Sequence, residues 1–208
     1  MGGWFRKEIN SLADLKGVKF RVGGLAGQIL SKFGVVPQQI AGGDIYLALE
    51  KGTIDGAEWV GPHDDEKLGF VKVAKYYYYP GWWEVGPTVG VFVNNEKWAS
   101  LPKAYQNIFA SAAAETNQWM SAKYDAQNPL ALKRLVGAGA VLKAFPPDVM
   151  EACWKAANET YDEISAKNAK FKLLYDHFVA FRNDQYLWNQ VVDLTMDSYM
   201  VRFRNQKG

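Results

Sequence analysis

The sequence is poor in the residues that build disulfides, metal clusters and catalytic triads. It has one cysteine, Cys153, which excludes an intramolecular disulfide and a zinc site made of cysteines. Its two histidines, His63 and His177, have no serine or cysteine partner at a recognisable spacing. The phosphate-binding loop, the dinucleotide fingerprint and the Gly-x-Ser-x-Gly motif are also absent. Nothing in the sequence therefore indicates an enzyme.

Charge of one sign and long apolar runs are lacking as well. Twenty-four basic and 22 acidic residues give a net charge of +2, which leaves no electrostatic footprint for nucleic acid. No apolar run has the length of a membrane span, and the opening MGGWFRKEIN has no apolar core of signal-peptide length. As written, we expect the chain to stay in the cytoplasm. Its hydrophobic content of 49% is enough to build a core.

The most informative stretch covers residues 17–59, where strands and helices alternate in an α/β pattern. A strand is predicted at 18–22 and a helix at about 25–33, so Arg21 lies at the carboxyl end of a strand. Open α/β sheets bind their ligands at that end, and the planar guanidinium suits a carboxylate. Arg21 either binds a ligand in this way, pairs with an internal acid, or simply faces water.

Two further segments place polar residues at predicted strand ends. A strand predicted at 53–60 carries Glu58 and Trp59 at its far end. The run YYYYPGWWE predicts a strand and a turn, followed by Trp83 and Glu84. Together with Trp82, these residues either line a pocket or form an aromatic packing cluster.

Other segments give secondary structure without a site. Trp4 and Phe5 are apolar but have no earlier strand to pack against. Residues 63–66 predict a solvated helix start rather than a metal site. Residues 88–94 predict a buried strand, and a long helix follows Ser100, with a kink or break expected near Gln127 because of Pro129. A last strand is predicted at 141–145, with helices from there onward.

Four segments together resemble one known family. They are GGWFRKEI, DLKGVKFRVGG, GGDIYLALEKGTIDGAEWVGPHDDEKLGF and YYYYPGWWE. They resemble, in order and spacing, the extracytoplasmic solute-binding proteins of tripartite ATP-independent periplasmic (TRAP) transporters. The resemblance covers essentially the whole sequence and is greatest to the branch that binds 2-oxo acids, lactate and similar monocarboxylates.

The resemblance implies an α/β fold of the periplasmic-binding-protein type, with lobes joined by hinge strands and a long connecting helix. One lobe would be largely intact in residues 9–58 and 88–145. Residues 59–87 and the C-terminal helices would belong to the other lobe. By the same resemblance, we expect the N-terminal portion of the family, including most of one lobe and an export signal, to be missing from the sequence.

The resemblance also implies a ligand site. Arg21 falls on the arginine that binds the substrate carboxylate, and Glu58 and Trp59 fall on a motif that faces the cleft. Trp83 would form a pocket wall. Glu84 falls on a position that reaches the ligand and, in monocarboxylate-binding members, a cation. A bound Na⁺ or Ca²⁺ would take oxygen ligands there, with Glu84 and Trp59 as the implied metal-binding residues.

The implied partners are a small carboxylate, the membrane subunits of a TRAP transporter, and a second copy of the chain. The family works in the periplasm. The shortened lobe should expose apolar surface, which proteins rarely leave uncovered. We therefore expect a homo-oligomer, such as a dimer with exchanged helices.

Three functions remain open at this point. The chain is a solute-binding protein or a remnant of one, a truncated fold reused as a structural homo-oligomer, or an enzyme of small acids that uses Arg21 and Glu84. The third has no nucleophile and no tuned acid–base pair. For the other two, Arg21 discriminates: a pair with an internal acid such as Glu58 favours the structural function, and a bound acid favours solute binding.

Overall fold

The structure is a computed structural model that describes residues 1–84, 86 and 89–204. Met1–Ala156 form one compact unit and Ala157–Gly208 form a second. In chain order, the strands and α-helices assigned to the described residues are β1 (Gly3–Phe5), β2 (Lys19–Arg21), α1 (Gly24–Ser31), β3 (Val36–Gln38), α2 (Ile45–Glu50), β4 (Gly56–Ala57), α3 (Pro62–Leu68), β5 (Tyr76–Tyr79), α4 (Asn95–Ser100), α5 (Lys103–Gly137), β6 (Val141–Ala144), α6 (Pro147–Lys167), α7 (Ala169–Val191) and α8 (Asp193–Phe203).

The strands form one sheet, ordered β3-β2-β4-β1-β5-β6. Pairing is parallel except on the two sides of β1, which runs antiparallel to β4 and β5. The other five strands therefore end at one side of the sheet, which we call the carboxyl edge. The amino end of β1 reaches the same edge. Loops that leave the carboxyl ends of parallel strands are where open α/β sheets bind ligands.

The two faces of the sheet support separate cores, because neighbouring residues of a strand point to opposite sides. Trp4 of β1 belongs to one core and Phe5 to the other, and Tyr77 and Tyr78 of β5 divide in the same way. Helices α1 and α6 contribute to the core of Phe5, and helices α2 and α5 contribute to the core of Trp4. The four-tyrosine run thus supplies large side chains to both cores.

Aromatic stacking joins the central strands. Trp4 lies opposite Tyr77, with ring centroids 3.9 Å apart and planes at 12°. On the other face, the ring of Phe5 stacks on that of Phe20 at 4.8 Å. Gly56 of β4 lies beneath this second pair. A Cβ there would stand 2.9 Å from Phe5 and 3.0 Å from Phe20, so any larger residue would displace the stack.

A buried carboxylate fastens the central strands to α3. Asp65, in the first turn of α3, is 1% exposed. Its Oδ2 accepts hydrogen bonds from Trp4 Nε1 at 3.0 Å and Tyr77 OH at 2.7 Å, and its Oδ1 accepts one from Val60 N–H at 3.1 Å. Burial raises the pKa of Asp65, and the three donors act in the opposite direction. Both carboxylate oxygens are satisfied, as a buried polar group requires.

Polar contacts join α3 to the C-terminal half of α5. The pairs are Arg134 with Glu66 at 2.7 Å, Tyr124 OH with Asp64 at 2.6 Å, and Asn128 Oδ1 with the His63 amide at 3.0 Å. The hydrogen bonds from Tyr124 and from Lys67 hold the pKa of Asp64 below its ordinary value, although partial burial is the largest single influence and acts to raise it. These contacts fix the part of α5 that borders the carboxyl edge.

Most of the predicted elements are present with shorter bounds. The strands expected at 18–22, 141–145 and after residue 75 are confirmed as β2, β6 and β5, and the helix expected at 25–33 is confirmed as α1. The strand expected at 53–60 is confirmed only as β4. The division into lobes at 9–58, 88–145 and 59–87 stays a prediction, although β5 lies in the same sheet as β2 and β6.

One strand was not predicted, and two expectations are wrong. Trp4 and Phe5, which have no earlier strand to pack against, form a central strand because β4 and β5 pair with them from later in the chain. Residues 63–66 are not a wholly solvated helix start, since Asp65 is buried by its three donors. Residues 89–94 are exposed and form no strand, because no other described strand pairs with them; Thr88 lies outside the described residues.

The long helix has no break near Gln127, because helix α5 passes through Pro129. The kink that was the alternative there stays a prediction. A proline removes one main-chain hydrogen bond, and the side-chain contacts to α3 from Tyr124 and Asn128 hold the helix on the N-terminal side of Pro129. Ser100 ends α4 instead of starting the long helix, and Asn94 caps α4 by accepting from Lys97 N–H.

The second unit contains the end of α6 together with α7 and α8. The side chain of Asn168 caps α7 by accepting hydrogen bonds from the amides of Lys170 and Phe171. No residue of α7 or α8 is buried among those described. Their exposed apolar side chains are Leu173, Leu174, Phe178, Phe181, Tyr186, Leu187, Trp188, Val191, Leu194, Met196, Tyr199, Met200, Val201 and Phe203. No described helix is both long enough and apolar enough to cross a bilayer.

The buried carboxylate gives a stability test. We expect Asp65→Ala to lower the free energy of unfolding by about 3 kcal/mol, because it leaves Trp4 Nε1 and two further donors buried without an acceptor. Asp125→Ala, which removes an exposed carboxylate from α5, should change it by less than about 0.5 kcal/mol. Urea unfolding monitored by tryptophan fluorescence measures both. Equal effects of the two substitutions would show that Asp65 does not hold the sheet to α3.

Candidate functional site

The five residues predicted for the site all lie at the carboxyl edge. Arg21 ends β2, and Glu58 and Trp59 follow β4 directly. Trp83 and Glu84 lie in the loop after β5. They border two depressions that share no lining residue. A cleft of about 660 Å³ is lined by Glu58, Trp59, Trp83 and Glu84, while Arg21 lines a depression of about 340 Å³ with residues 22–23 and 38–41.

Arg21 is held by three acceptors. Its Nε donates to Ile40 O at 3.2 Å, and its Nη1 donates to Glu58 O at 2.8 Å and also to Glu58 Oε1. The guanidinium carbon lies 5.1 Å from the centre of the Trp59 ring, within reach of a cation–π contact. Nη2 has no hydrogen-bond partner within the described part of the chain. The guanidinium is therefore oriented, and one of its donor groups is unused.

Glu58 lies between Arg21 and the cleft. Its side chain is 13% exposed. Burial, the largest influence, and the nearby carboxylates of Glu84 and Asp65 raise the pKa of Glu58, while Arg21 lowers it, and the net result is a pKa of about 7. Near neutral pH the carboxyl is thus divided between its charged and neutral forms, and it neutralises Arg21 only in part.

Trp59 closes the floor of the site. A Cβ on Gly42 would overlap its indole, so the ring lies directly on the backbone that precedes α2. Val60, which follows it, donates its amide to the buried Asp65. The Glu58–Trp59 segment is therefore fixed from one side by Arg21 and from the other by the core.

Trp83 and Glu84 differ in how firmly they are held. Trp83 packs edge-on against Phe20 at 6.1 Å and against Trp82 at 5.1 Å while lining the cleft, so the packing and pocket alternatives are both realised. Glu84 is exposed, and its backbone amide donates to Gly81 O at 3.2 Å. Its carboxylate has no hydrogen-bond or ion-pair partner among the described residues.

The opposite wall of the cleft was not predicted. It is formed by one side of α5, where residues three or four apart face the same way. The lining residues are Asn117, Met120, Ser121, Tyr124, Asp125, Asn128, Pro129 and Leu132. Asn117 and Asn128 lie about three helical turns apart on this side of α5. These polar side chains were the feature of the sequence that could have indicated a surface facing water.

The donor set fits a cation only in part. Ca²⁺ takes six to eight oxygen ligands and Na⁺ also prefers oxygen. The described residues contain no group of three or more histidine, cysteine, aspartate or glutamate side chains that could hold a metal. The cleft is lined by the carboxyl-bearing residues Glu58, Glu84 and Asp125, with Trp59 beside Glu58. Any cation here would need further oxygen atoms, such as those of a bound carboxylate.

The comparisons with known proteins agree with this architecture. Residues 1–168 match the model of the DctP family, described as bacterial extracellular solute-binding protein, family 7. A curated relative from Nostoc sp., named a monocarboxylate 2-oxoacid-binding periplasmic protein, is 50% identical over 96% of this chain and 55% of its own length.

Solved structures show the same fold. A TRAP transporter solute-binding protein from Bordetella bronchiseptica is 50% identical, with a TM-score of 0.96 over 100% of this chain and 62% of its own; it is a mixed-occupancy dimer with copurified calcium and picolinate. A TRAP periplasmic solute-binding protein from Colwellia psychrerythraea, with bound calcium and pyruvate, is 35% identical, with a TM-score of 0.89 over 96% of this chain and 61% of its own.

The chain therefore spans a little more than half the length of these relatives. The mixed sheet with its flanking helices confirms the predicted α/β fold of the periplasmic-binding-protein type. The relatives are solute-binding proteins and not enzymes, in agreement with the lack of a catalytic constellation in the sequence. The matched family model covers most of the sequence, and the chain belongs to the DctP family of bacterial extracellular solute-binding proteins.

Proposed function

We propose that the carboxyl edge binds a small organic acid, a 2-oxo acid or hydroxy monocarboxylate, as part of a TRAP transporter solute-binding protein. The observation that carries the proposal is Arg21, whose guanidinium is oriented by Ile40 and Glu58 while Nη2 keeps no described partner. A carboxylate is the natural acceptor for such a group. The acids bound by the two solved relatives, picolinate and pyruvate, support this class of ligand.

The Arg21–Glu58 ion pair favours the alternative, a truncated fold reused as a structural homo-oligomer. An internal partner would satisfy Arg21 permanently if Glu58 were fully ionised. Two features support binding instead. The pKa of Glu58 is raised to about 7, so the pair is only partly charged at neutral pH. The second carboxylate, that of Glu84, has no described partner, which is an arrangement suited to a cation or ligand.

A cation, Ca²⁺ or Na⁺, is proposed to bridge the acid to the protein through Glu84 and the carbonyl of Trp59. The bound cation would offset repulsion between the ligand's carboxylate and the two glutamates of the cleft. Calcium accompanies the acid in both solved relatives. Trp83 would form a wall of the ligand cleft, and Glu58 would form the side of the cleft that lies next to Arg21.

The proposed setting follows the family. A solute-binding protein of this kind works in the periplasm and delivers its acid to the membrane subunits of a TRAP transporter.

We also propose that the chain self-associates through the second unit. The exposed side chains Leu174, Phe178 and Phe181 of α7 recur at spacings of four and three residues, which places them on one face. An apolar face of this kind is rarely left in water. A second copy would cover it with the same face, as a twofold dimer does, and the Bordetella bronchiseptica relative is a dimer.

Arg21 is tested with ligand. Pyruvate with calcium should raise the melting temperature of the wild-type protein, because a ligand of the native state stabilises it by mass action. Arg21→Ala should weaken pyruvate binding by about 100-fold or more, as expected when one partner of a charged pair is removed. Thermal-shift titration measures this effect.

Two controls accompany that titration. Arg134→Ala removes an arginine whose partner, Glu66, lies outside the cleft, and it should keep the pyruvate shift. Glu84→Gln should remove only the increment that calcium adds. An Arg21→Ala protein that still responds like wild type would overturn the proposed function and leave the structural alternative.

Glu58 gives a pH test that needs no ligand. Burial raises its pKa from 4.5 to about 7, so the folded state binds more protons than the unfolded state between these values. The free energy of unfolding should therefore fall by about 2 to 3 kcal/mol as the pH rises through this window. Glu58→Gln should remove that part of the decline. Parallel urea-unfolding profiles for the two proteins from pH 4 to 8 would contradict the burial of Glu58.

The dimer is tested on α7. Leu174→Glu should weaken self-association by about tenfold or more, because a charge would be buried in an apolar interface. Asn183→Glu adds the same charge at an exposed polar position on the opposite side of that helix and should leave the dimer intact. Sedimentation equilibrium gives both constants. A wild-type protein that stays monomeric and does not aggregate would rule out this interface.

A further inference from the structure

The edge of the sheet opposite the carboxyl edge carries a separate polar depression. We call this side the amino edge, because the parallel strands begin there. The depression has a volume of about 350 Å³ and shares no lining residue with the acid cleft. Most of its polar lining residues are basic, and we refer to it as the basic depression. Its lining residues are Arg6, Lys7, Asp55, Val71, Lys72, Val73, Ala74 and Lys75.

Three chain segments bring the four cations of the basic depression together. Arg6 and Lys7 directly follow β1, Asp55 precedes β4, and Lys75 precedes β5. Because β1 runs antiparallel to β4 and β5, its carboxyl end meets their amino ends. Lys72 lies on the segment that connects α3 to β5. The cluster is therefore made by the topology of the sheet, and the overall composition of the chain does not reveal it.

The backbone that carries these side chains is fixed. The Arg6 amide donates to Asp55 O at 2.9 Å. The segment before β5 forms a short 3₁₀ turn, in which the Lys72 amide donates to Gly69 O at 3.1 Å. This turn is anchored by Phe70, which is buried in the core of Trp4. A ligand of the basic depression thus meets a frame that needs little ordering, which lowers the entropy cost of binding.

The four cations have no ion-pair partner in the part of the chain that the structure describes. Asp55, the one acid among the lining residues, accepts the Lys19 amide at 2.9 Å through Oδ2. Glu8, which follows Lys7, pairs with Lys143 at 3.3 Å. Since like charges around one depression repel each other and oppose folding, the cluster is not explained by the stability of the fold.

Arg6 is oriented by the turn after α2. A Cβ on Gly52 would stand 2.7 Å from Arg6 Nη1, so the guanidinium lies directly on that glycine. None of the side-chain nitrogens of Arg6 has a hydrogen-bond partner among the described residues. The ammonium group of Lys75 lies over the ring of Tyr76, 5.0 Å from its centre. An oriented guanidinium with free donors, beside ammonium groups, is a combination that recognises phosphate.

We propose that the basic depression binds a ligand through a phosphate group. A phosphate suits it better than a carboxylate, because a phosphate carries more charge and offers three acceptor oxygens around one centre. A depression lined by cations also concentrates anions within it. The phosphate belongs either to a soluble compound or to a lipid headgroup, and the concave shape requires that the group enters the depression. This site lies at the opposite edge from Arg21 and does not rest on the proposed function.

The first test uses the wild-type full chain with inorganic pyrophosphate as the probe. Isothermal titration calorimetry at constant ionic strength should show saturable binding at least about tenfold tighter than that of sulfate, because the probe carries more negative charge. Pyrophosphate should also slow the acetylation of Lys72 and Lys75 by an amine-reactive ester, as measured by mass spectrometry. Acetylation of Lys133, which is exposed on α5 and lines neither depression, should not change.

Two variants locate the site and two serve as controls. Arg6→Gln and Lys72→Gln should each weaken pyrophosphate binding by about tenfold, the expected effect of losing one charge-assisted contact. Lys133→Gln removes the same charge elsewhere and should bind like wild type. Arg21→Ala should also bind like wild type, because Arg21 lies at the carboxyl edge. Lys72 is exposed, so Lys72→Gln should keep the wild-type melting temperature.

Vesicles identify the source of the phosphate. They are made of phosphatidylcholine with or without phosphatidylglycerol, and bound protein is measured by co-sedimentation. Retention that needs phosphatidylglycerol and that Lys72→Gln weakens assigns the phosphate to a lipid headgroup. Pyrophosphate binding without retention on either vesicle assigns it to a soluble compound. Both results support a phosphate site in the basic depression.

Four results would overturn the proposal. They are no pyrophosphate binding by the wild-type chain, equal loss of binding in Lys133→Gln and Lys72→Gln, loss of binding in Arg21→Ala, and tighter binding of polyglutamate than of pyrophosphate. The last result would identify an acidic peptide as the partner. A chain that binds pyrophosphate as expected but shows no thermal shift with pyruvate would support this site and overturn only the proposed function.

Discussion

The carboxylate of Asp65 is the constraint on which the site depends. It accepts hydrogen bonds from strand β1 through Trp4 and from strand β5 through Tyr77, which are the two partners whose rings stack at 3.9 Å. Its third donor is the amide of Val60, which directly follows Glu58 and Trp59. One buried acid in the first turn of α3 therefore holds an antiparallel strand in a parallel sheet and also positions the loop that faces the cleft.

The chemistry of the carboxyl edge follows from one guanidinium with more than one carboxylate around it. Arg21 pairs with Glu58, while Glu84 stands exposed without a described partner. Burial makes Glu58 a weak acid, with a pKa of about 7, so it orients Arg21 without fully cancelling its charge. A ligand carboxylate adds negative charge beside these groups, and this is the physical reason that a cation bound at Glu84 would assist an acid in this cleft.

The sequence was informative where a feature is local. Strand ends next to glycine placed Arg21, Glu58, Trp59, Trp83 and Glu84 at one edge, because the pattern of parallel strands decides where their ends meet. Features made by distant residues were not predictable. Asp65, one of the four polar residues 63–66, is buried because its hydrogen-bond donors come from strands β1 and β5. The wall of the cleft depends on where helix α5 packs against the rest of the unit. The short apolar stretch Gly3–Phe5 likewise does not reveal that the later strands β4 and β5 will pair with it on both sides.

Residues 89–94 show the same limit from the opposite side. Their alternating valines predict a strand, and the structure leaves them exposed because a strand needs a neighbour for its hydrogen bonds. The expected buried strand is therefore wrong for the described residues, although valine and phenylalanine favour a strand. Propensity alone does not decide the outcome, because a strand also needs a neighbour that satisfies its main-chain groups, and the described sheet supplies none to these residues. The same condition explains the opposite case of Trp4 and Phe5, which form a strand because β4 and β5 pair with them on both sides.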